Sequence, residues 1–389
     1  MTQVSIIIPA FKFPSALDEV LIALSRQQIK PNEVIVVDSS PDNSVEEIVE
    51  NHKIYLNLVY VKLSRAYPGE ARNTGIDIAK YKFIGFLDSK TPPKANWLAD
   101  AISILESEEY DVFFGSTEYI AHEPFQKIIQ ACSYGKDPVE TTPGTVISKT
   151  ALNLIGKFFE GIRASEDLEW RQRIKNSNLN IYSPKSALLT YPNISRNLFI
   201  EAKRHFLYQL HTAYTDVQGK TKMLIFGLSI IFGALLIPQW NNIVGWDSIL
   251  FIPYITRSYF YLLCVFILSI LILRLRRKSI PSMIEKSTLF SLFIVCSYLV
   301  WRWNANVAGW VETSIYYIPH ISKIFLGSLI VLGIFFRGIY IPLSRGIVFQ
   351  FLFPLKWIYI GLVGFILDCF KIPGYFLGAV LSLSNYFKR

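Results

Sequence analysis

The sequence predicts a two-part chain: an α/β domain on a mainly parallel sheet over residues 1–195, then an α-helical multi-pass membrane domain over residues 221–389, with an amphipathic interfacial linker at 196–220 between them. Three observations carry this. Short β-rich apolar runs alternate with amphipathic stretches from the amino terminus. Charge is segregated, with 20 Lys+Arg against 24 Asp+Glu in residues 1–190 and 19 against 6 in residues 191–389. Apolar runs approaching the ~20 residues a bilayer requires recur after residue 222.

The apolar runs are Val4–Ile8, Val34–Val37, Leu58–Lys62 and Phe83–Leu87, separated by helical patterns at Ala16–Leu24, Val45–Val49 and Ala71–Ala79. That alternation is the βαβα signature of a sheet covered on both faces. Such sheets bind ligands beyond the carboxyl ends of their strands. Function is therefore expected in Pro9–Lys12, Asp38–Ser44, Arg65–Arg72 and Asp88–Pro93. Past Tyr110 the pattern becomes α+β, with strands expected at Val112–Ser116 and Thr145–Ser148 and a helix at Ser165–Lys175. That helix begins with acids and ends with bases, as its dipole prefers.

Phe199–Tyr214 places Phe199, Phe206, Leu207 and Leu210 along one helical side, with Lys203 and Arg204 off it. It reads as a helix in the membrane interface or as a soluble connector. Spans are then expected at Met223–Pro238, Tyr259–Leu273, Leu289–Trp303 and Ile321–Phe336. The remainder, Ile347–Leu383, is apolar but interrupted by Pro354, Lys356, Asp368, Lys371 and Pro373, and fits a fifth span, a re-entrant pair or a surface-lying region.

The net charge of +9 comes from the second part, where Arg274, Arg276, Arg277 and Lys278 directly follow an apolar run. Basic residues so placed mark cytoplasmic loops rather than a nucleic-acid face, so no nucleic-acid partner is expected. No basic leader or cleavage site precedes Val4, so the first domain is expected in the cytosol. Cys132, Cys264, Cys296 and Cys369 have no metal-ligand spacing and read as buried thiols. Neither a Walker loop nor Gly-x-Gly-x-x-Gly occurs, which disfavours nucleoside-triphosphate and dinucleotide enzymes.

Five segments in order, Ser5–Phe11 (SIIIPAF), Val36–Ser44 (VVDSSPDNS), Gly69–Gly75 (GEARNTG), Phe86–Lys90 (FLDSK) and Ser165–Trp170 (SEDLEW), resemble the motifs of family 2 glycosyltransferases with the GT-A fold. The resemblance covers residues 1 to about 190. It implies an inverting enzyme that moves a sugar from a nucleotide-sugar to an acceptor. It further implies that Asp38 accepts a hydrogen bond from the base, that Pro9 and Phe11 wall the base pocket, and that Arg72 reaches the diphosphate. Asp88 matches the first acid of the family's metal motif, implying a divalent cation, Mg²⁺ or Mn²⁺. Lys90 stands where a second acid is usual. Either Asp88 holds the metal with donor phosphates and water, or Lys90 itself supplies positive charge to the leaving diphosphate. Asp167, with Glu166 beside it, matches the catalytic acid that acts as general base. Ser39 replaces a common second Asp, which leaves the choice of base open.

Arg204–His211 lacks the Gln-x-x-Arg-Trp of processive synthases, so a single addition is expected. The membrane part points to a lipid-linked or membrane-presented acceptor, met by a cytosolic catalytic domain at a bacterial-type inner membrane, with homo-oligomerisation left open. Two alternatives stand beside this: a polyprenyl-phosphate sugar synthase, and a non-catalytic membrane protein that binds nucleotide-sugar.

Overall fold

The computed structural model describes residues 3–215, 217, 244–245, 247–253 and 321–386. The expected spans at Met223–Pro238, Tyr259–Leu273 and Leu289–Trp303 lie outside these residues.

Strands β1 (Val4–Ala10), β2 (Glu33–Asp38), β3 (Leu58–Lys62) and β4 (Phe83–Phe86) form a parallel half-sheet in the order β3-β2-β1-β4. Its connections are α1 (Pro14–Ser25), α2 (Ser44–His52) and α3 (Pro68–Ile78). Beyond β4 the order continues through β6 (Val139–Ser148), antiparallel to β4, then β5 (Val112–Tyr119) and β7 (Ile181–Tyr182), while β8 (Leu189–Tyr191) also pairs with β5. The sheet is therefore mixed and the arrangement GT-A-like, as the sequence predicted.

Alternation along β1 decides the layers. Val4, Ile6 and Ile8 face a core shared with α1, α2 and α4 (Trp97–Glu106), whereas Ile7 faces the opposite core with Ala71 of α3, Leu152 of α6 (Lys149–Ile155) and Trp170 of α7 (Glu166–Lys175). Both faces are covered, so the central strands read as nearly continuous apolar runs.

A third core joins α5 (Pro124–Ile129), a π-helical turn at Gln130–Tyr134 and α8 (Leu198–Thr212) to the carboxyl-terminal helices, through Ile129, Cys132, Ala202, Ile360, Val363 and Leu367. Those helices are α9 (Ile321–Phe335), continued by a π-helical turn at Phe336–Tyr340, then α10 (Phe349–Leu352) and α11 (Lys356–Tyr386). The region left open by the sequence from Ile347 onward is thus mainly one long helix. Of its interrupting charges, Asp368 and Lys371 are paired inside the protein: Asp368 meets Arg337 at 3.0 Å and Lys371 at 2.8 Å. Among the described residues, one helical stretch, Lys356–Gly378, is long and apolar enough to cross a membrane. The expected fourth span, Ile321–Phe336, coincides with α9 and the first residue of the π-helical turn that follows it.

α8 and α11 approach backbone to backbone. A Cβ on Gly374 would stand 2.3 Å from the Phe206 carbonyl oxygen, and one on Gly378 would stand 2.1 Å from that of Leu210. Glycine at both positions, one helical turn apart, permits the contact.

Candidate active site

The strand order reverses between β1 and β4, which places their carboxyl ends side by side at the topological switch point. After β1 come Phe11 and Phe13, 51% and 54% exposed, and after β4 come Asp88 and Lys90. Lys12 and Phe13 both adopt left-handed backbone conformations, φ 58° and 56°. Side chains with a Cβ do this at a cost of ~1–2 kcal/mol per residue. The conformation sets the Phe13 ring 3.4 Å from Lys90 Nζ, measured to the ring centroid. Pro9 sits half-buried in the last part of β1, in register with Val37. Pro9 lies in the last part of β1 and Phe11 follows it, and Phe13, which the sequence reading passed over, stands at the same end of the strand.

Asp38 closes β2 and is fully buried. Its Oδ1 accepts from the Ser40 amide at 2.8 Å, and its Oδ2 accepts from the Tyr60 hydroxyl at 2.9 Å and Lys62 Nζ at 2.8 Å. Burial alone would raise its pKa, but the hydrogen bonds from Lys62, Ser40 and Tyr60 together hold it below the usual carboxylate range. Three internal donors already satisfy this carboxylate. Ser39, also buried, bonds back through its amide to the Ala10 carbonyl at 3.0 Å.

Arg72 lies in the first turns of α3 behind Gly69, whose missing Cβ lets the helix start against the Phe159 carbonyl oxygen, 2.3 Å from where that atom would be. The guanidinium is 3% exposed and forks: Nη2 donates to Asp88 Oδ1 at 2.7 Å and Nη1 to Glu166 Oε1 at 2.9 Å. Its carbon lies 5.2 Å from the centroid of the Phe158 ring, whose carbonyl Asn73 anchors at 2.9 Å. The sequence reading expected Arg72 to reach a diphosphate. In the structure it joins Asp88, the expected metal-side acid, to Glu166, one of the two expected catalytic acids.

Glu166 and Asp167 open α7, and Ser165 before them holds a left-handed conformation, φ 75°. The Ser165 hydroxyl bonds to that of Thr212 at 2.5 Å, tying α7 to the end of α8. Glu166 is buried, and burial, then Asp167 beside it, push its pKa up to about 7 against the pull of Arg72. Asp167 is partly exposed, and among the described residues its carboxylate has no hydrogen-bond or ion-pair partner. Its position is held through the main chain, where Thr142 Oγ1 donates to the Asp167 carbonyl at 3.3 Å. Of the two adjacent acids, Glu166 is held by Arg72, whereas Asp167 has no such partner among the described residues.

For a divalent cation the donor set is sparse. Among the described residues no group of three His, Cys, Asp or Glu side chains converges. Asp88, its side chain 41% exposed, keeps Oδ2 without a partner among the described residues while Oδ1 faces Arg72. One carboxylate oxygen, completed by phosphates and water, suits Mg²⁺, which commonly binds through one or two carboxylates plus substrate phosphates.

Arg204 was not singled out by the sequence reading. Its guanidinium lies 5.3 Å from the Tyr208 ring centroid and 5.8 Å from those of Tyr134 and Tyr191, and Nε donates to the Tyr208 hydroxyl at 2.9 Å. β8 brings Tyr191 beside the loop after Lys90, where the Thr190 amide donates to the Pro92 carbonyl at 3.2 Å. Burial, then Arg204, lower the pKa of Lys90, while Asp88 opposes them. Two cations thus share the cleft. α8 is turned inside out relative to a soluble amphipathic helix, with Glu201 and Ala202 buried and Phe199 and Ile200 at 72% and 61% exposure. Of the apolar side read from the sequence, Phe199 is exposed while Phe206, Leu207 and Leu210 are half-buried; the aromatic cage around Arg204 was not legible, because its tyrosines are far apart in the chain.

Residues 5–157 match the family described as Glycosyl transferase family 2. The chain is 32% identical over 119 residues to a hyaluronan synthase of Pasteurella multocida, covering 30% of this chain and 12% of that protein. It is 22% identical over 191 residues to the glycosyltransferase AglE of Haloferax volcanii, covering 46% and 63%. It is also 24% identical over 220 residues to the UDP-Glc:alpha-D-GlcNAc-diphosphoundecaprenol beta-1,3-glucosyltransferase WfgD of Escherichia coli, covering 52% and 83%. The first two matches span less than two thirds of the relative's length. The switch-point cleft and the family match together identify the amino-terminal α/β part of this chain as a family 2 glycosyltransferase domain.

Proposed function

We propose that this protein is an inverting membrane glycosyltransferase that moves a single sugar from a nucleotide-sugar to a lipid-linked or membrane-presented acceptor. The observation that carries this reading is the fork of Arg72, which draws Asp88 and Glu166 into one cleft and leaves Asp167 unengaged beside them. Phe11 and Phe13 receive the base at the rim, Lys90 and Arg204 offset phosphate charge, and Asp167 removes the proton from the acceptor hydroxyl as it attacks the anomeric carbon. Arg72 acts as a positioning residue for both acids, and Asp38 shapes the floor beneath the base. When bound, a divalent cation at Asp88 Oδ2 would neutralise charge on the leaving diphosphate.

A membrane acceptor is supported by the exposed apolar residues of α8 and α11, among them Phe199, Ile200, Tyr359, Leu362, Phe370 and Phe376, and by the apolar length of Lys356–Gly378. The WfgD relative is named for UDP-Glc and a diphosphoundecaprenol-linked acceptor, the class proposed here. The multi-pass domain at 221–389, cytosolic placement of the catalytic part and location in a bacterial-type inner membrane belong to the same proposal.

Purified full-length protein in lipid, assayed across UDP-, GDP- and dTDP-sugars with and without Mn²⁺, tests this. Donor hydrolysis or transfer is expected with one nucleotide class; nucleotide binding without turnover across the whole panel would leave only a binding protein. Activity that persists after exhaustive chelation would assign charge neutralisation to Lys90 and Arg204 alone.

A further inference from the structure

A cavity of about 390 Å³ lies at the seam between the catalytic domain and the carboxyl-terminal helices, bordered by Tyr119, Tyr134, Asp137, Glu140, Ser344 and Arg345. Arg345 closes the seam. Its carbonyl oxygen accepts from the amides of Lys136 at 2.8 Å and Asp137 at 3.2 Å, and its Nη1 donates to the Ser133 carbonyl. The volume is within the range of small-molecule sites.

The polar groups at this cavity are mixed in kind. The Asp137 carboxylate has no hydrogen-bond or ion-pair partner among the described residues, and Arg345 forms no ion pair among them. Glu140 is already matched to Lys175 at 2.7 Å and Arg171 at 3.6 Å. Asp137 and Arg345 carry opposite charges and Arg345 already donates to the Ser133 carbonyl, so the lining offers no excess charge to attract a phosphate or a cation. Tyr119 and Tyr134, stacked with centroids 4.3 Å apart, add flat apolar surface. Aromatic surface with adjacent donors and acceptors suits a ligand that has apolar ring faces and a rim of hydroxyls.

The cavity also lies next to the chemistry. β6 runs from Val139 and Glu140 at the cavity to Thr142, whose hydroxyl holds the Asp167 main chain at 3.3 Å. Two strand residues span ~7 Å, on the scale of one sugar ring. Tyr119 is opposite Tyr191 in the β5–β8 ladder, and Tyr191 is part of the cage around Arg204.

We propose that this cavity binds a neutral saccharide unit of the acceptor, adjacent to the hydroxyl that receives the new sugar, and that the carboxyl-terminal segment at Ser344 and Arg345 completes the subsite. The inference rests on the glycosyltransferase reading above. Saturation-transfer NMR on the full chain in lipid nanodiscs, with chitobiose, cellobiose and lactose as probes, tests it. At least one disaccharide should receive saturation from the wild type. Ser344→Trp, which fills the cavity, should abolish that signal, and Asp137→Asn should weaken binding about tenfold, as expected for loss of a hydrogen bond to a charged group. Absence of signal from all three probes, or an undiminished signal in a Ser344→Trp protein with an unchanged melting curve, would overturn the proposal. Hydrolysis of the nucleotide-sugar panel by the wild type separates the two readings. Its absence defeats the glycosyltransferase assignment, whereas hydrolysis without disaccharide binding defeats the acceptor subsite alone.

Discussion

Arg72 Nη1 lies 2.9 Å from Glu166 Oε1, a contact between residues 94 positions apart that joins the start of α3 to the start of α7. Both partners are buried, and the second arm of the same guanidinium holds Asp88. Removing one member of a buried ion pair leaves the other charge uncompensated, which typically costs ~3–5 kcal/mol. Arg72→Ala should therefore lower the melting temperature markedly. Arg72→Lys should fold better but lose turnover, because an ammonium is a point charge that cannot reproduce the planar fork. Thermal melts with activity assays on both variants check this; normal turnover in Arg72→Lys would show that the fork is dispensable.

Asp167→Asn removes the free base without changing shape. Turnover should fall by ~10²- to 10⁴-fold, the usual contribution of a general base, with nucleotide affinity nearly unchanged. Titration calorimetry with the preferred nucleotide, alongside initial rates, distinguishes this from a folding defect. A polyprenyl-phosphate acceptor, whose phosphate needs little help from a base, would instead leave most of the rate intact.

Glu166 binds its proton more tightly in the folded protein, up to about 7, than in the unfolded chain, near ~4.3. Between these values the folded state holds more protons, so this group makes stability fall as pH rises from about 4.5 to about 7 and adds no further slope above that. Glu166→Gln should flatten that portion of the stability curve. Denaturant unfolding at a series of pH values measures it, and an unchanged slope would refute the assignment.

Asp38 has the opposite sign. Its pKa is held below the ordinary value, so its contribution is fully present above about pH 4 and is lost as pH falls through the folded value. Asp38→Asn should cost ~1–3 kcal/mol at pH 7, the usual penalty for leaving buried hydrogen-bonding groups without their partner, and progressively less below pH 4. Paired unfolding curves at pH 7 and pH 3 test this.

Gly374→Leu should separate α11 from α8, since even its Cβ would stand 2.3 Å from the Phe206 carbonyl oxygen. Overpacking of this kind costs ~1–3 kcal/mol. Because α8 also carries Arg204, transfer should fall further than stability alone accounts for. Comparison with Gly327→Ala, where an added Cβ meets nothing within 4 Å, controls for the loss of a helical glycine.

The sequence by itself determined the βαβα half-sheet. β1 and β2 are central and buried on both faces, so their apolar runs admit few alternatives, whereas β3 (Leu58–Lys62) is the edge strand and only its Leu58 is buried. It also marked Asp88, Glu166 and Asp167, because these follow a strand or open a helix at fixed offsets from recognisable motifs. Tertiary structure alone decided which neighbours those residues meet. Arg72 was expected at a diphosphate and is held by two carboxylates, one of them 94 positions away. Arg204 was read as lying off the apolar side of the 199–214 helix and lies among tyrosines from β8, the π-helical turn and its own helix. Periodicity reports which face of a segment is apolar. It carries no information on which distant segment will supply the partner for a buried charge, and in this protein long-range ion pairs and close helix contacts at Gly374 and Gly378 set that choice.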